Sequence, residues 1–469
     1  MRPWPDPAST NAPPLIAPSD IIESGLCIGC GSCAAKRGAG AMRWDRDGLL
    51  KPGGEADWLD QPSEAFTHQC PFSPAAANED QIAAERFACA PNADPRLGRF
   101  ERAYVGYAAE DPFRSNGSSG GLTSWIAAEL LRSATVDGVA HVAPADPTTD
   151  GRFFAYRISR SLGELSAGAK SRYYPVELSQ ILREIRDVPG RYAVIGIPCF
   201  IKAVHLLRRL DPLLRERVTH TLGLFCGHMK SAAMVESFAW QLGTELARVR
   251  ALDYRMKDER RPANWYRARL ELDGGDTAEQ DWWHLADGDW GAGFFQNPAC
   301  DWCDDVVAET ADISLGDAWV EPHSSDGHGT NVMIVRSKAL VDLVEAARDD
   351  GRLQLEPVSG DFVAQTQAAG LRHRRDGLAY RLSWRHRGIV PVKRVSPSAA
   401  LPARRKLVYR LRYAIARSSH RVFRLARALH APAIYIAWAR LSLRLYQAVT
   451  WSRGRLGRLL DRLLPRPEL

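Results

Sequence analysis

The sequence predicts an α/β protein: a mixed-sheet core, a small cysteine-rich module ahead of it and a basic helical tail behind it. Three observations predict this. Between residues 103 and 349, short apolar runs alternate with stretches of helical periodicity. Ahead of them, four cysteines stand among glycines and polar residues with little periodic pattern. Behind them, residues 401–469 hold 16 Lys and Arg against two acids, a net of +14.

The core elements follow in order. Residues 103–109 read as a strand. Residues 118–132 read as a helix, with Leu122, Trp125, Ile126, Leu130 and Leu131 on its apolar face. Residues 138–142 and 153–158 read as strands, 192–197 as a buried strand leading into a helix at 200–210, and 219–225 as a strand ending at Cys226. Residues 313–316 and 332–336 are strands, 338–349 a helix, and 362–387 helical. Four regions result: a disordered Pro-, Ala- and Ser-rich leader at 1–19, a cysteine module with its connector at 20–100, the core at 101–390 and the tail at 391–469.

Composition sets the class. The chain has 469 residues, 45% hydrophobic and 25% charged, which is ordinary for a globular protein. Net charge is +7, so the part before residue 401 carries −7. The first 20 residues show no apolar signal segment, and no apolar stretch approaches the roughly 20 residues that span a bilayer. The expectation is a cytoplasmic protein with nine reduced cysteines, or one held peripherally at the inner face of the membrane. In the tail, Leu407, Leu411, Ile415, Val422, Leu425 and Leu429 fall near helical spacing with arginines between them. Pro432 is expected to break that run, with a second helix over 434–464. A basic amphipathic helix suits a membrane surface or an acidic protein. Nucleic acid is a poorer fit, because no recognition fold accompanies the basic patch.

Eight cysteines carry the chemistry. Cys27-Ile-Gly-Cys30-Gly-Ser-Cys33, with Cys70-Pro71 downstream, has the Cys-x2-Cys-x2-Cys spacing that wraps one face of an iron–sulfur cubane. Zinc more often takes two separated Cys-x2-Cys pairs. The second set is dispersed: Cys199 and Cys226 at strand ends, and the pair Cys300-Asp-Trp-Cys303. By themselves these read equally as a thiolate cage at one sheet rim or as buried apolar fillers. Cys89 has no partner pattern.

The segment Asn116-Gly117-Ser118-Ser119-Gly120-Gly121-Leu122-Thr123 lies between a strand and a helix. Its glycines would let backbone approach a phosphate at a helix start, and Ser118 or Ser119 could cap that helix. A plain capped turn reads the same way.

In order and spacing these pieces resemble the coenzyme F420 hydrogenase/dehydrogenase beta-subunit family. The carriers are the Cys27/Cys30/Cys33 run with Cys70-Pro71, the 116–123 segment, Gly196-Ile-Pro-Cys199, Gly223-Leu-Phe-Cys226-Gly227, Cys300-Asp-Trp-Cys303 and the run from Ala311 to Asp317. The resemblance spans about residues 20–390. It implies a flavin-binding core with a ferredoxin-like iron–sulfur module, holding FAD and two 4Fe–4S clusters. It implies Cys27, Cys30, Cys33 and Cys70 as ligands of one cluster, and Cys199, Cys226, Cys300 and Cys303 of the other. It places Asn116, Gly117, Ser118, Ser119, Gly120, Gly121 and Thr123 at the flavin nucleotide, with Lys170 and Arg172 nearby; the bland alternative for these last two is a solvated basic turn. The implied activity is an oxidoreductase that takes electrons from a ferredoxin or similar carrier and reduces a small organic substrate. An electron-transfer subunit without its own substrate, or a zinc-stabilised binding protein, are the alternatives. Asp317 reads as structural or cluster-adjacent, and His228, His323 and His328 as surface or packing residues. Ala34-Ala-Lys-Arg follows Cys33 in place of a nearby Cys-Pro, against a two-cluster ferredoxin module, and the N-terminal motif differs from the family's chlorophyll-reductase version.

Overall fold

The structure, a computed structural model, describes residues 14–464 apart from 37–39, 385 and 387. The expected leader at 1–13 lies outside these residues. Residues 14–19 are not a loose leader: Ile16 and Ala17 are buried, and a helix starts at Pro18. Ile16 N donates to Thr67 Oγ1 at 2.9 Å, and that anchor outweighs the disorder-prone composition around it.

An eight-stranded mixed sheet forms the core. In chain order its strands are β1 (Arg102–Ala108), β2 (Gly138–Pro144), β3 (Phe154–Ser159), β4 (Tyr192–Gly196), β5 (Val218–Leu224), β6 (Ile313–Asp317), β7 (Asn331–Val335) and β8 (Leu353–Pro357). Across the sheet the order is β8-β1-β7-β6-β5-β4-β2-β3. The four strands β2, β4, β5 and β6 run parallel, with antiparallel strands on both flanks. Parallel strands covered on both faces read as continuous apolar runs, and β4 is buried throughout. Tyr192 and Val194 serve one core cluster, Ala193 and Ile195 the other.

On one face lie α1 (Leu122–Arg132) and the helix Lys338–Asp349, packing Trp125, Ile126, Leu130, Leu340 and Val344. On the other lie α2 (Pro198–Leu210) and the helix Ser179–Asp187, packing Phe200, Val204, Ile181 and Leu182. The cysteine module shares this second core through Ile21, Leu26, Ile28, Phe66 and Phe72. Each fully buried side chain of this kind contributes about 1.5–3 kcal/mol.

Beyond the expected elements, residues 249–281 form a separate three-stranded antiparallel sheet. The connector at 76–100 holds the helix Glu79–Arg86 and a short hairpin. The helical region at 362–387 is three short helices, Gly360–Thr366, Ala368–Arg374 and Asp376–Leu382. The tail is three helices rather than two: α3 (Ala403–Ala428), α4 (Pro432–Trp451) and α5 (Gly454–Leu463). Pro432 starts α4 as expected, but the chain breaks again where Ser452 and Gly454 take positive φ.

Candidate functional site

The first cysteine set is held by local geometry. Gly29 and Gly31 sit at φ +81° and +78°, where a Cβ would collide with the Leu50 carbonyl and the Glu177 carboxylate respectively. Only glycine turns the chain this tightly here, and the turns bring Cys27, Cys30 and Cys33 to the wall of one cavity. Cys70 arrives at the end of the helix Glu64–Gln69. All four line one small cavity with Pro18, Ile21, Ile28, Phe66 and Phe72. Burial pushes the Cys30 thiol up to about 11, and Cys33 and Cys70 are raised too, each worsened by its neighbouring cysteines. Ionised together, thiolates buried this close would need a cationic partner.

The dispersed set converges as well. Cys199 lies in the first turn of α2, where the helix dipole favours a thiolate. Cys226 follows β5, and its N–H donates to the Val306 carbonyl at 2.9 Å. Cys300 belongs to the 3-10 turn Pro298–Trp302, and Cys303 follows it. The four line one cavity with Ile28, Phe72, Ile197, Pro198, Asp305 and Arg374. Met229 N donates to Cys300 Sγ at 3.2 Å. Arg374, buried, donates to the Cys300 carbonyl at 2.7 Å, and its positive charge pulls the Cys226, Cys300 and Cys303 thiols down against the burial that raises them. A buried ionic lattice braces the loop after Cys303: Arg394 pairs with Glu309 at 2.6 Å and Asp304 at 3.2 Å, and Lys202 with Glu79 at 3.1 Å.

Among the described residues, no three His, Cys, Asp or Glu side chains close on a position for one metal ion. Each thiolate of a cubane binds its own iron, so a cubane needs four thiols in one cavity at wider spacing than a single tetrahedral ion does. Each set lines one cavity with its four cysteines. Cys89 is exposed and apart from them.

The third element is a cavity of about 290 Å³ at the carboxyl ends of the parallel strands, lined there by Gly196, Leu224 and Asp317, with His141 of β2 alongside. That is where ligands bind in open α/β sheets. Gly117, Ser118, Ser119, Gly121 and Thr123 form one wall, and Lys170 and Arg172 another. Asn116 and Gly120 are not on it: Asn116 is exposed, and Gly120 packs against Asn331. Neither serine caps α1. Gly121 takes the N-cap at φ +77°, and Leu122 N donates to Asn331 Oδ1 at 3.2 Å. Ser118 Oγ instead accepts from Ser171 N at 2.8 Å, tying the glycine segment to the basic turn, and Ser119 Oγ donates to the Thr330 carbonyl at 3.1 Å. Lys257 Nζ donates to the Ser119 and His328 carbonyls at 2.9 and 2.7 Å from outside.

Several wall residues carry no sequence signal. Arg255 is buried, pairs with Asp317 at 2.9 Å and lies 4.2 Å over the Tyr266 ring. Lys230 is buried, donates to the Phe294 carbonyl at 2.6 Å, and is pulled down to about 7 by burial. His228 is a packing residue: it is buried, stacked on Trp290 at 4.2 Å, and its Nε2 has no hydrogen-bond partner. His323 and His328 do not reach the cavity wall.

The three sites are contiguous. Ile197 and Cys226 line both the large cavity and the second cysteine cavity, and Ile28 and Phe72 line both cysteine cavities. Cys30 is close enough to Cys199 to raise its thiol.

Residues 103–183 match the family described as coenzyme F420 hydrogenase/dehydrogenase, beta subunit N-term, and residues 190–361 match its C terminus. The chain belongs to the coenzyme F420 hydrogenase/dehydrogenase beta-subunit family. The two matches together cover just over half of it and stop short of the first cysteine set and the tail. A chain of the F420-reducing nickel–iron hydrogenase complex from Methanosarcina barkeri is similar at 16% identity and a TM-score of 0.48, over 62% of this chain and 95% of that one. No curated protein matches the sequence. As a member of this family the chain is a redox protein with a mixed α/β fold.

Proposed function

We propose that the chain is an iron–sulfur flavoprotein oxidoreductase. In this reading it passes electrons from a ferredoxin-type carrier through two 4Fe–4S clusters to FAD, and so reduces a small organic substrate. The observation that carries the reading is the shared walls: first cysteine set, second cysteine set and glycine-lined cavity form an unbroken line. Electron relays need such adjacency, and zinc-stabilised binding proteins do not.

Cys27, Cys30, Cys33 and Cys70 would hold the outer cluster, and Cys199, Cys226, Cys300 and Cys303 the inner one. Gly117, Ser118, Ser119, Gly121 and Thr123 would hold the nucleotide, with Lys170 and Arg172 facing its phosphates. The fit rests on this chain's own chemistry: bare backbone at a helix start, two cations beside it, and Tyr173 and Trp290 4.7 Å apart in the wall. When bound, the flavin would supply hydride chemistry and exchange single electrons with the clusters. The protein's own part is to position it, exclude water and balance charge through the Arg255–Asp317 pair.

A second reading has the family description in its favour. As a beta subunit, the chain would relay electrons for a larger complex and have no substrate of its own.

Anaerobic purification with iron, sulfide, zinc and flavin content per chain tests both readings. About eight irons and one FAD are expected. Zinc without flavin would overturn the redox reading. Activity with dyes but with no small substrate would favour the relay subunit.

A further inference from the structure

The tail helices present a surface that the redox site does not explain. α3 is fastened to the body. Phe295 N donates to Ser419 Oγ at 2.9 Å, the His420 ring meets the Gln296 carbonyl at 3.1 Å, and Arg424 and Arg427 pair with Asp47 and Glu236. α4 buries Tyr435, Ala439, Tyr446 and Val449, and turns Ile434, Leu441 and Leu445 outward at helical spacing, with Arg440 and Arg444 exposed beside them. α5 buries only Gly457. Its Leu456, Leu459 and Leu463 are exposed, the last at 67%, and Arg455, Arg458 and Arg462 are exposed between them.

Two features make this unusual. Nine of the twenty exposed large apolar side chains among the described residues lie on these three helices, and a tenth, Leu429, caps α3. A ten-residue helix that buries so little gains scant stability in water. The charge is also of one sign. Residues 401–464 hold 15 Lys and Arg and a single acid, Asp461, which pairs with Arg404. Among the described residues, no helix is long and apolar enough to cross a membrane.

We propose that α4 and α5 dock this protein on the surface of an anionic phospholipid bilayer, with the leucines at the acyl boundary and the arginines at the phosphates. A bilayer interface satisfies both groups at once, because its apolar layer and its anionic layer are a few ångströms apart. A second copy of the chain would oppose two cationic faces. An acidic protein would match the arginines but leaves the leucine rows without a counterpart.

Co-sedimentation of the full chain with vesicles tests this. Binding is expected to mixed phosphatidylcholine–phosphatidylglycerol vesicles, little to phosphatidylcholine alone, with weakening as salt rises. The triple variant Arg455→Gln, Arg458→Gln, Arg462→Gln is expected to lower partitioning on the order of a hundredfold. The triple variant Leu456→Ser, Leu459→Ser, Leu463→Ser is expected to abolish it. All six side chains are exposed, so circular dichroism, iron and flavin content should match the parent, and the outcome is independent of the redox reading. The proposal is overturned by absent binding to the mixed vesicles, by binding that neither variant changes, by a dimer that only the leucine variant dissociates, or by retention on an acidic protein matrix without vesicle binding.

Discussion

Arg374 Nη1 donates to the carbonyl oxygen of Cys300 at 2.7 Å, which sets a buried guanidinium against the inner cysteine set. A fixed positive charge favours the more negative, reduced form of a cluster. In the cluster-loaded protein, Arg374→Gln should therefore lower the inner cluster's potential, on the order of 100 mV for a unit charge at this range. Arg374→Lys should keep most of the charge and shift it far less. Potentiometric titration followed by electron paramagnetic resonance reads both. Equal potentials in parent and Gln variant would mean that Arg374 only braces the loop.

The two cysteine sets should load independently. Cys33→Ser and Cys226→Ser are each expected to lose about four irons while retaining the other four. Cys89→Ser should lose none, since Cys89 is exposed and lines neither cavity. Full iron retention in Cys226→Ser would make the inner set structural and break the proposed line to the glycine-lined cavity.

The central strands were legible because strands buried on both faces are largely apolar runs, as in β4 and β7. β8 was missed although Leu353 and Leu355 are buried and Gln354 and Glu356 are exposed, a period-2 pattern in a short polar edge strand. The sheet over 249–281 was missed for the same reason, because its strands are laced with Arg, Asp and Glu. The first cysteine set announces itself by local spacing. Arg374, Arg255, Lys230 and Trp290 do not, because each reaches the site from a segment whose local pattern is unremarkable. Their role exists only once β5, β6 and the 290–303 loop have been brought to one sheet rim.

Gly121 offers a local test of the nucleotide wall. At φ +77° any L side chain is strained, and a Cβ there would collide with the Phe113 carbonyl. Gly121→Ala should cost at least about 1 kcal/mol and displace the 117–121 segment. Flavin content should fall while iron content holds. Gly163→Ala is the control: no heavy atom lies within 4 Å of its added Cβ and its φ is unexceptional, so flavin and iron should match the parent. Loss of iron and flavin together in Gly121→Ala would mean that the segment supports the whole fold rather than the nucleotide site.

Lys230 predicts a pH dependence of stability. Burial holds its ammonium down to about 7, against an ordinary 10.5 in the unfolded chain. Between these values the unfolded state binds a proton that the folded state does not. Unfolding is then favoured by protons, so the side chain's contribution is fully present above 10.5 and is lost as pH falls toward 7. Relative to Lys230→Met, the parent should gain stability as pH rises through this window, by up to about 1.4 kcal/mol per unit. Anaerobic thermal melts of both proteins at several pH values read the difference. A flat difference across the window would mean that Lys230 stays charged, held by Asp287 and by the Phe294 carbonyl it donates to at 2.6 Å.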